Sequence, residues 1–191
     1  MDFVLASASE RRQELLKRIV EDFKIVISNF DENTVDFEGD CDDYVKLLAL
    51  CKAREVANRI KNETIVIGSD TVVYHNGKIF GKPKDEKDAY NMLKSLSGSS
   101  HRVYSGIAVI NTASNEIRVD SVCTEVFFST LSEEQISRYV KSSEPMGKAG
   151  AYGIQGNGGI FVEKIYGCYY NVVGLPLNRL YFILREMGVN L

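Results

Sequence analysis

Side chains that could bind a phosphate first occur where a short apolar segment passes into a helix. The segment reads Ser7-Ala8-Ser9-Glu10-Arg11-Arg12. Backbone amides at the beginning of a helix attract anions, and arginine binds phosphate through two parallel hydrogen bonds. Two arginines in the first helical turn are unfavourable for the helix dipole, so a bound phosphate would explain them. A solvated basic pair is the alternative.

Asp70 is the carboxylate whose position best suits metal or proton chemistry. It lies just past Thr64-Ile65-Val66-Ile67-Gly68, a run typical of a central strand, and it precedes Thr71. A carboxylate at the end of such a strand can hold a divalent metal ion or accept a proton from water. Alternatively, Asp70 accepts backbone hydrogen bonds in a turn.

Lysines occur in two further segments that could contact a phosphate. Lys82 lies between a glycine and a proline in Gly81-Lys82-Pro83-Lys84, and a stiff backbone there would present a point charge. Lys148 and Gln155 belong to the glycine-rich segment 147–156, where the backbone can approach a ligand closely. This segment is not a P-loop, because the G-x-x-x-x-G-K-[ST] pattern is absent. An exposed lysine and a plain flexible loop are the alternatives.

The chain is poor in ligands for soft metals. It has two histidines, and its four cysteines are scattered without a C-x-x-C pair. Any metal would therefore be held mainly by oxygen, which favours Mg²⁺ or Mn²⁺. Carboxylates, lysines and arginines together suit the attack of water on phosphorus, with a metal ion that neutralises the leaving group.

Composition limits the class of protein. The 191 residues are 45% hydrophobic and 26% charged, so we expect a single domain over residues 1–191, whose two lobes cannot be separated from sequence. A net charge of −3 disfavours binding to nucleic acid. No signal peptide is recognisable, and no segment approaches the about 20 apolar residues of a membrane span. With cysteines typical of reduced thiols, the sequence predicts a cytoplasmic protein without a membrane partner.

The elements that must position these residues alternate between strands and helices. Strands are predicted near residues 3–6, 25–27, 64–68, 72–75 and 160–162, and hairpins at Asn76-Gly77 and between 103–110 and 117–128. A helix of about 18 residues follows the acidic stretch 31–43, and Lys52 projects from or beside its apolar face. We therefore expect an α/β fold with a mixed, strongly twisted sheet, flanking helices and two lobes around a cleft.

Five motifs in this order resemble those of the Maf family. They are Leu5-Ala6-Ser7-Ala8-Ser9 with Arg11-Arg12, Gly68-Ser69-Asp70-Thr71-Val72-Val73, Gly81-Lys82-Pro83, Lys148-Ala149-Gly150-Ala151-Tyr152-Gly153-Ile154-Gln155-Gly156, and Asn171-Val172-Val173-Gly174-Leu175-Pro176. Each motif alone is weak, but together they cover nearly the whole chain. The resemblance implies a fold similar to inosine triphosphate pyrophosphatase, with a nucleotide between two lobes, and hydrolysis at the α-phosphorus with Mg²⁺ or Mn²⁺.

The resemblance also implies roles for particular residues. Asp70 corresponds to the proposed base that activates water, and Glu32 is expected to assist the metal. The residues that mark family members acting on dTTP and UTP, rather than on 7-methyl-GTP, are retained as Arg11, Thr71 and Gln155. The phosphate side should be lined by Ser7, Arg12, Lys52 and Lys82.

Two departures from the family pattern are visible, and two other functions stay open. Glu10 replaces a proline, and Gly147 replaces an acidic residue that could bind metal or orient Lys148. The expected function is a nucleoside triphosphate pyrophosphatase that acts on dTTP and UTP, with modified pyrimidine nucleotides as further candidate substrates. The alternatives are a nucleotide-binding regulator of cell division and a phosphatase that releases the γ-phosphate. A homodimer is compatible with a protein of this size, although no interface residue indicates it.

Overall fold

The computed structural model describes residues 1–191 as an α/β fold. Its strands are β1 (Asp2–Leu5), β2 (Lys24–Ile25), β3 (Thr64–His75), β4 (Lys78–Phe80), β5 (Ser100–Asn111), β6 (Glu116–Phe128) and β7 (Val162–Tyr166). Its helices are α1 (Glu10–Leu16), α2 (Cys41–Ala57), α3 (Glu86–Leu96), α4 (Glu133–Lys141), α5 (Tyr169–Val173) and α6 (Leu177–Glu186). None of these helices is long and apolar enough to cross a membrane.

The seven strands form one mixed sheet. Its order is β2-β1-β3-β5-β6-β7, with β4 paired to β3. β1 runs parallel to both β2 and β3, whereas the β3–β4 and β6–β7 pairs are antiparallel. The predicted α/β class with a mixed sheet and flanking helices is therefore confirmed.

The chain divides into two compact units. Unit 1 comprises Met1–Asp70, Ser105–Val122 and Gly174–Leu191, and unit 2 comprises Thr71–Tyr104 and Cys123–Val173. Each unit has its own buried apolar cluster. In unit 1, small and β-branched side chains from β1, α2, β3 and β5 pack together, and in unit 2 the cluster includes aromatic residues such as Phe128 and Phe161.

Local sequence signals predicted several elements well. The Asn76-Gly77 turn has positive φ at both residues, 48° and 78°, as a tight hairpin of this type requires. Helix α2 has 17 residues, close to the predicted length. At the start of α4, the Ser132 and Gln135 side chains each bond the backbone of the other, which forms a complete capping box.

Two strand predictions were wrong in detail. β3 continues without a break through Asp70, which therefore lies inside a strand and not past its end. Residues 160 and 161 belong to a 3-10 turn (Asn157–Phe161), and the strand begins only at Val162. The second error arose because an apolar run of three residues does not distinguish a strand from a buried turn.

Candidate active site

Close packing of α2 on the sheet positions Lys52. A Cβ added at Gly68 in β3 would lie 2.9 Å from the Cβ of Ala53, so only glycine allows this approach. In β5, a Cβ at Gly106 would lie 2.8 Å from the backbone nitrogen of Lys46. Small residues on both elements therefore bring the backbone of α2 against the strands. Lys52, one turn before Val56 on this buried side, reaches the segment of β3 that follows Gly68.

Lys52 joins two carboxylates. Its Nζ lies 2.5 Å from Oδ1 of Asp70 and 2.7 Å from Oε1 of Glu32. Lys52 and Asp70 are buried, whereas half of the Glu32 side chain is exposed. Burial of charged groups is unfavourable unless they are paired and hydrogen-bonded. This triad places one cation and two anions at a partly accessible point.

Ser7 and Arg12 meet at the beginning of α1. The Ser7 hydroxyl accepts hydrogen bonds from the Ser9 amide and from Nη1 of Arg12, both at 3.2 Å. Nε of Arg12 donates to the carbonyl of Gly174 at 2.9 Å, and the Ser69 hydroxyl donates to the same carbonyl at 3.2 Å. Gly174 has φ +124°, a backbone conformation that favours glycine. The Asn171–Pro176 motif thus contributes a backbone carbonyl that orients Arg12.

The charges of unit 1 act on one another. Burial lowers the pKa of Arg12, and the negative charge of Asp70 partly offsets this effect. The positive charge of neighbouring Arg11 lowers the pKa of Arg12 further. Burial, followed by the charges of Asp70 and Glu32, raises the pKa of Tyr44 on α2. The carboxylates, the guanidinium of Arg12 and the phenol of Tyr44 therefore lie in one electrostatic environment.

Four predicted site residues belong to unit 2. Thr71 follows Asp70 directly in β3 and is half-buried. Lys82 and Gln155 are exposed. Nζ of Lys148 donates a hydrogen bond to the carbonyl of Glu144, so this ammonium is directed toward its own loop.

The predicted residues therefore fall into two sets. Unit 1 contains Ser7, Arg11, Arg12, Glu32, Lys52 and Asp70, and the structure brings Lys52, Glu32 and Asp70 together and pairs Ser7 with Arg12. Unit 2 contains Thr71, Lys82, Lys148 and Gln155. The roles of all ten in binding and catalysis stay predictions.

The family model described as Maf-like protein matches residues 2–187 of this chain. That match covers nearly the whole sequence. The chain belongs to the Maf family.

Three curated relatives that are similar to this Maf chain over its full length share one name. A protein of Clostridium novyi (strain NT), named dTTP/UTP pyrophosphatase, is 64% identical over 191 residues and covers 100% of both chains. Proteins of the same name from Clostridium tetani (strain Massachusetts / E88) and Clostridium perfringens (strain SM101 / Type A) are 57% and 56% identical, also over 100% of both chains.

Solved structures similar to this Maf chain are more distant. A nucleoside-triphosphatase / dITP/XTP pyrophosphatase from Mycobacterium abscessus is 14% identical, with a TM-score of 0.46, and the alignment covers 98% of this chain and 95% of that chain. The Ham1 protein of Staphylococcus aureus is 16% identical, with a TM-score of 0.43, over 67% of this chain and 72% of that chain.

Asp70 and Glu32 of this Maf chain suit a hard divalent cation only if a nucleotide supplies further oxygen ligands. Asp70 and Glu32 both supply oxygen atoms beside Lys52, but among residues 1–191 no three His, Cys, Asp or Glu side chains group to hold a metal. Mg²⁺ usually binds one or two carboxylates and completes its shell with water and substrate phosphates. The donors present therefore fit Mg²⁺ or Mn²⁺ bound with a nucleotide, not a closed protein cage.

Sequence reasoning missed three residues that build these regions of the Maf chain. Gly174 orients Arg12 through its carbonyl, Tyr44 lies in the field of the two carboxylates, and Glu144 accepts from Lys148. Tyr44 could have been noted, because it is two helical turns before Lys52 on α2. The acceptor role of a backbone carbonyl has no signal in the side-chain sequence.

Proposed function

We propose that this Maf chain hydrolyses dTTP and UTP to the nucleoside monophosphate and pyrophosphate. The observation that carries the proposal is the buried ammonium of Lys52 between Asp70 and Glu32, 2.5 and 2.7 Å from their oxygens. It provides a base and a positive charge at one point, as hydrolysis of a phosphoanhydride requires. The shared name of full-length relatives, dTTP/UTP pyrophosphatase, supports the reaction and the nucleotides.

The first step concerns water and Asp70. Oδ1 of Asp70 accepts from Lys52, so Oδ2 is the oxygen that we expect to accept a proton from water. The water oxygen forms a bond to the α-phosphorus while the bond from that phosphorus to the bridging oxygen breaks. Pyrophosphate leaves with the bridging oxygen, and the monophosphate keeps the oxygen from water. In-line positioning and charge stabilisation, not covalent catalysis, lower the barrier.

The phosphate chain needs cationic and hydroxyl partners. In unit 1 we assign this role to Ser7, Arg11, Arg12 and Lys52. Bidentate contacts from a guanidinium whose orientation is fixed by Gly174 give both affinity and direction. In unit 2 we assign it to the exposed Lys82 and to Lys148 of the glycine-rich segment.

A divalent ion completes the proposal. Asp70 and Glu32 would hold Mg²⁺ or Mn²⁺. Such an ion neutralises charge on the phosphates and on the departing pyrophosphate. Lys52, hydrogen-bonded to both carboxylates, already compensates their charge before any ion binds.

We assign recognition of the nucleobase to Thr71 and Gln155. A side-chain amide has both donors and an acceptor, so it can match one edge of a pyrimidine ring. A site with hydrogen bonds to such an edge rejects bases that lack the matching groups. The regulatory alternative is not favoured, because the full-length relatives bear the name of an enzyme. A cytoplasmic location and a homodimer stay predictions.

The test is product analysis on a panel of triphosphates. Purified protein with Mg²⁺ or Mn²⁺ is expected to convert dTTP and UTP to monophosphate and pyrophosphate, and to act more slowly on dCTP, dGTP and ATP. Release of orthophosphate with a diphosphate product would show attack at the γ-phosphorus and would refute the proposed reaction. Faster turnover of purine nucleotides than of dTTP and UTP would refute the assigned substrates but not the proposed reaction.

A further inference from the structure

The carboxylate of Glu144 accepts hydrogen bonds from the two residues that follow the glycine-rich segment 147–156 of unit 2. Oε2 accepts a hydrogen bond from the Asn157 amide at 3.0 Å. Oε1 accepts from the Gly158 amide at 3.3 Å and from the Tyr139 hydroxyl at 3.0 Å. Glu144 is only half-buried, yet both of its oxygens are used within the chain.

Tyr139 extends this arrangement to the other side of the loop. Its hydroxyl oxygen also accepts a hydrogen bond from the Gly153 amide at 3.1 Å. One carboxylate is thus connected to residue 153 through Tyr139 and to residues 157 and 158 directly. Gln155 lies between these attachment points, two residues from each side.

Two glycines make the close approach possible. A Cβ at Gly156 would lie 2.8 Å from the carboxyl carbon of Glu144, and one at Gly153 would lie 2.7 Å from Cε of Lys148. Real Cβ atoms do not approach other atoms so closely, so larger residues would displace these side chains. The glycines therefore fit the loop around Glu144 and Lys148, as well as giving it conformational freedom.

The charge of Glu144 strengthens these contacts. Burial raises the pKa of Glu144, but the amides of Asn157 and Gly158, with Tyr139 and the charge of Lys148, outweigh burial and leave the pKa below its ordinary value. Hydrogen bonds to an ionised acceptor are about twice as strong as bonds between neutral groups. Glu144 also supplies the backbone carbonyl that holds Lys148, whereas Gly147 has no side chain for this purpose.

We propose that Glu144 is a positioning residue that sets the direction of the Gln155 amide toward the pyrimidine base. This inference rests on the proposed function and adds a specificity-determining residue to it. Gln155 is exposed, so the direction of its side chain depends on the backbone at 153–158. Glu144 holds that backbone on both sides, directly at residues 157 and 158 and through Tyr139 at Gly153. The Gly156 amide also donates a hydrogen bond to the Gly153 carbonyl at 3.2 Å, which closes a turn around Gln155.

The kinetic test uses Glu144→Gln with Glu134→Gln as a matched control. In E144Q one acceptor oxygen is replaced by an NH₂ group, which cannot accept a hydrogen bond from the backbone N–H groups of residues 157 and 158. The loop should therefore lose at least one hydrogen bond to this side chain. Glu134 lies on α4, is exposed, and makes only a 4.0 Å ion pair with Arg138. In E144Q we expect the preference for dTTP over dCTP to fall by about tenfold, mostly through a higher KM for dTTP, because small misplacements of a binding group are costly. E134Q should match the wild type.

A measurement without turnover separates this inference from the proposed function. Hydrogen exchange of the amides of Gly153, Asn157 and Gly158 should be at least tenfold faster in E144Q, while exchange in α2 stays unchanged. Binding of a non-hydrolysable dTTP analogue should weaken more than binding of the dCTP analogue.

The outcomes are distinct. If the wild type hydrolyses no triphosphate, the proposed function fails, and exchange and analogue binding still decide the role of Glu144. A folded E144Q with unchanged exchange, or with equal losses for dTTP and dCTP, would overturn the inference and leave Glu144 as an ordinary stabilising residue.

Discussion

Two carboxylates in this chain make opposite kinds of contact. Asp70 of unit 1 is buried and accepts from a lysine side chain, whereas Glu144 of unit 2 accepts from two backbone amides and a tyrosine. A side-chain ammonium can rearrange when a ligand arrives, whereas a carboxylate bonded to backbone amides holds the loop to which those amides belong. The same chemical group can therefore serve a reaction in one region and fix loop geometry in the other.

The largest effect is expected from Asp70→Asn. An amide cannot accept a proton from water, so kcat should fall by about 10³-fold, in the range for loss of a general base. The fold should persist, because asparagine has nearly the same size and keeps one oxygen for Lys52. Steady-state kinetics and thermal unfolding measure the two quantities.

The matched control for this change is Asp43→Asn. Asp43 lies on α2, its side chain is 78% exposed, and it pairs with Lys46 at the surface. D43N should retain full activity. A D70N protein with more than a tenth of wild-type kcat would remove Asp70 from the role of base and erase the distinction between the two carboxylates.

Lys52→Met tests whether unit 1 depends on its central cation. The substitution removes the ammonium that is paired with the buried Asp70 and with Glu32, and the free energy of unfolding should fall by about 3 kcal/mol in the absence of divalent ions. Mg²⁺ should restore part of that loss, since it supplies a cation to the same oxygens. Denaturant unfolding with and without Mg²⁺ measures both.

Lys46→Met is the control on the same helix. Its ion pair with Asp43 is at the surface, where such pairs contribute about 0 to 1 kcal/mol. Equal losses for K52M and K46M would mean that the triad contributes no more than a surface pair.

Acid should act on unit 2 through His101 before it acts on Glu144. Burial, with a smaller contribution from His75, lowers the pKa of His101 to about 3 from 6.5. Below pH 6.5 the unfolded chain binds this proton and the folded chain does not, so stability falls by up to about 1.4 kcal/mol per pH unit as pH decreases toward 3. Above pH 6.5 this histidine has no effect.

The variant His101→Gln removes that titration. Its unfolding free energy should depend less on pH between 6.5 and 5, although the buried site loses stability at neutral pH. Glu144 affects stability over a lower pH range. Because its pKa in the folded chain lies below the ordinary 4.5, its ionised form stabilises the fold above pH 4.5, and this stabilisation is lost as the pH falls through the folded pKa. If the unfolding free energy of H101Q depended on pH between 6.5 and 5 as steeply as that of the wild type, His101 would be excluded as the source of this dependence.

The smallest effects come from two tyrosines. Tyr139→Phe removes the hydroxyl between Gly153 and Glu144, and Tyr152→Phe removes the hydroxyl 2.8 Å from Nε2 of His101. Each should lower the unfolding free energy by about 1 kcal/mol. Only Y139F should also raise KM for dTTP, because only the Tyr139 hydroxyl bonds both Glu144 and the Gly153 amide. Equal KM values for the two variants would contradict the assigned loop role.

Much of the fold could be predicted from local patterns. Turn residues, caps and alternating hydrophobic runs identified the hairpins and the helices α2, α3 and α4, because their geometry depends on neighbouring residues. Continuity of β3 through Asp70 could not be predicted, since the polar run Ser69-Asp70-Thr71 after Gly68 is typical of a turn. Its position in the strand depends on the contact of Gly68 with α2, which is remote in sequence.

The site could be predicted in part. Lys52 was noted for its unusual place on an apolar helix face, and the structure pairs it with Asp70 and Glu32. Glu144 gave no such signal, because a glutamate before proline is common at helix ends. Its function follows from amides 13 and 14 residues later in the chain, and only the folded loop brings them together.

The most direct test of the central claim is hydrolysis of dTTP in ¹⁸O-labelled water. Attack on the α-phosphorus, with Asp70 as the base, predicts one labelled oxygen in the monophosphate and none in pyrophosphate. Mass spectrometry of the two products reads the position of the label. Label in pyrophosphate, or in released orthophosphate, would mean that water attacks another phosphorus and would contradict the account.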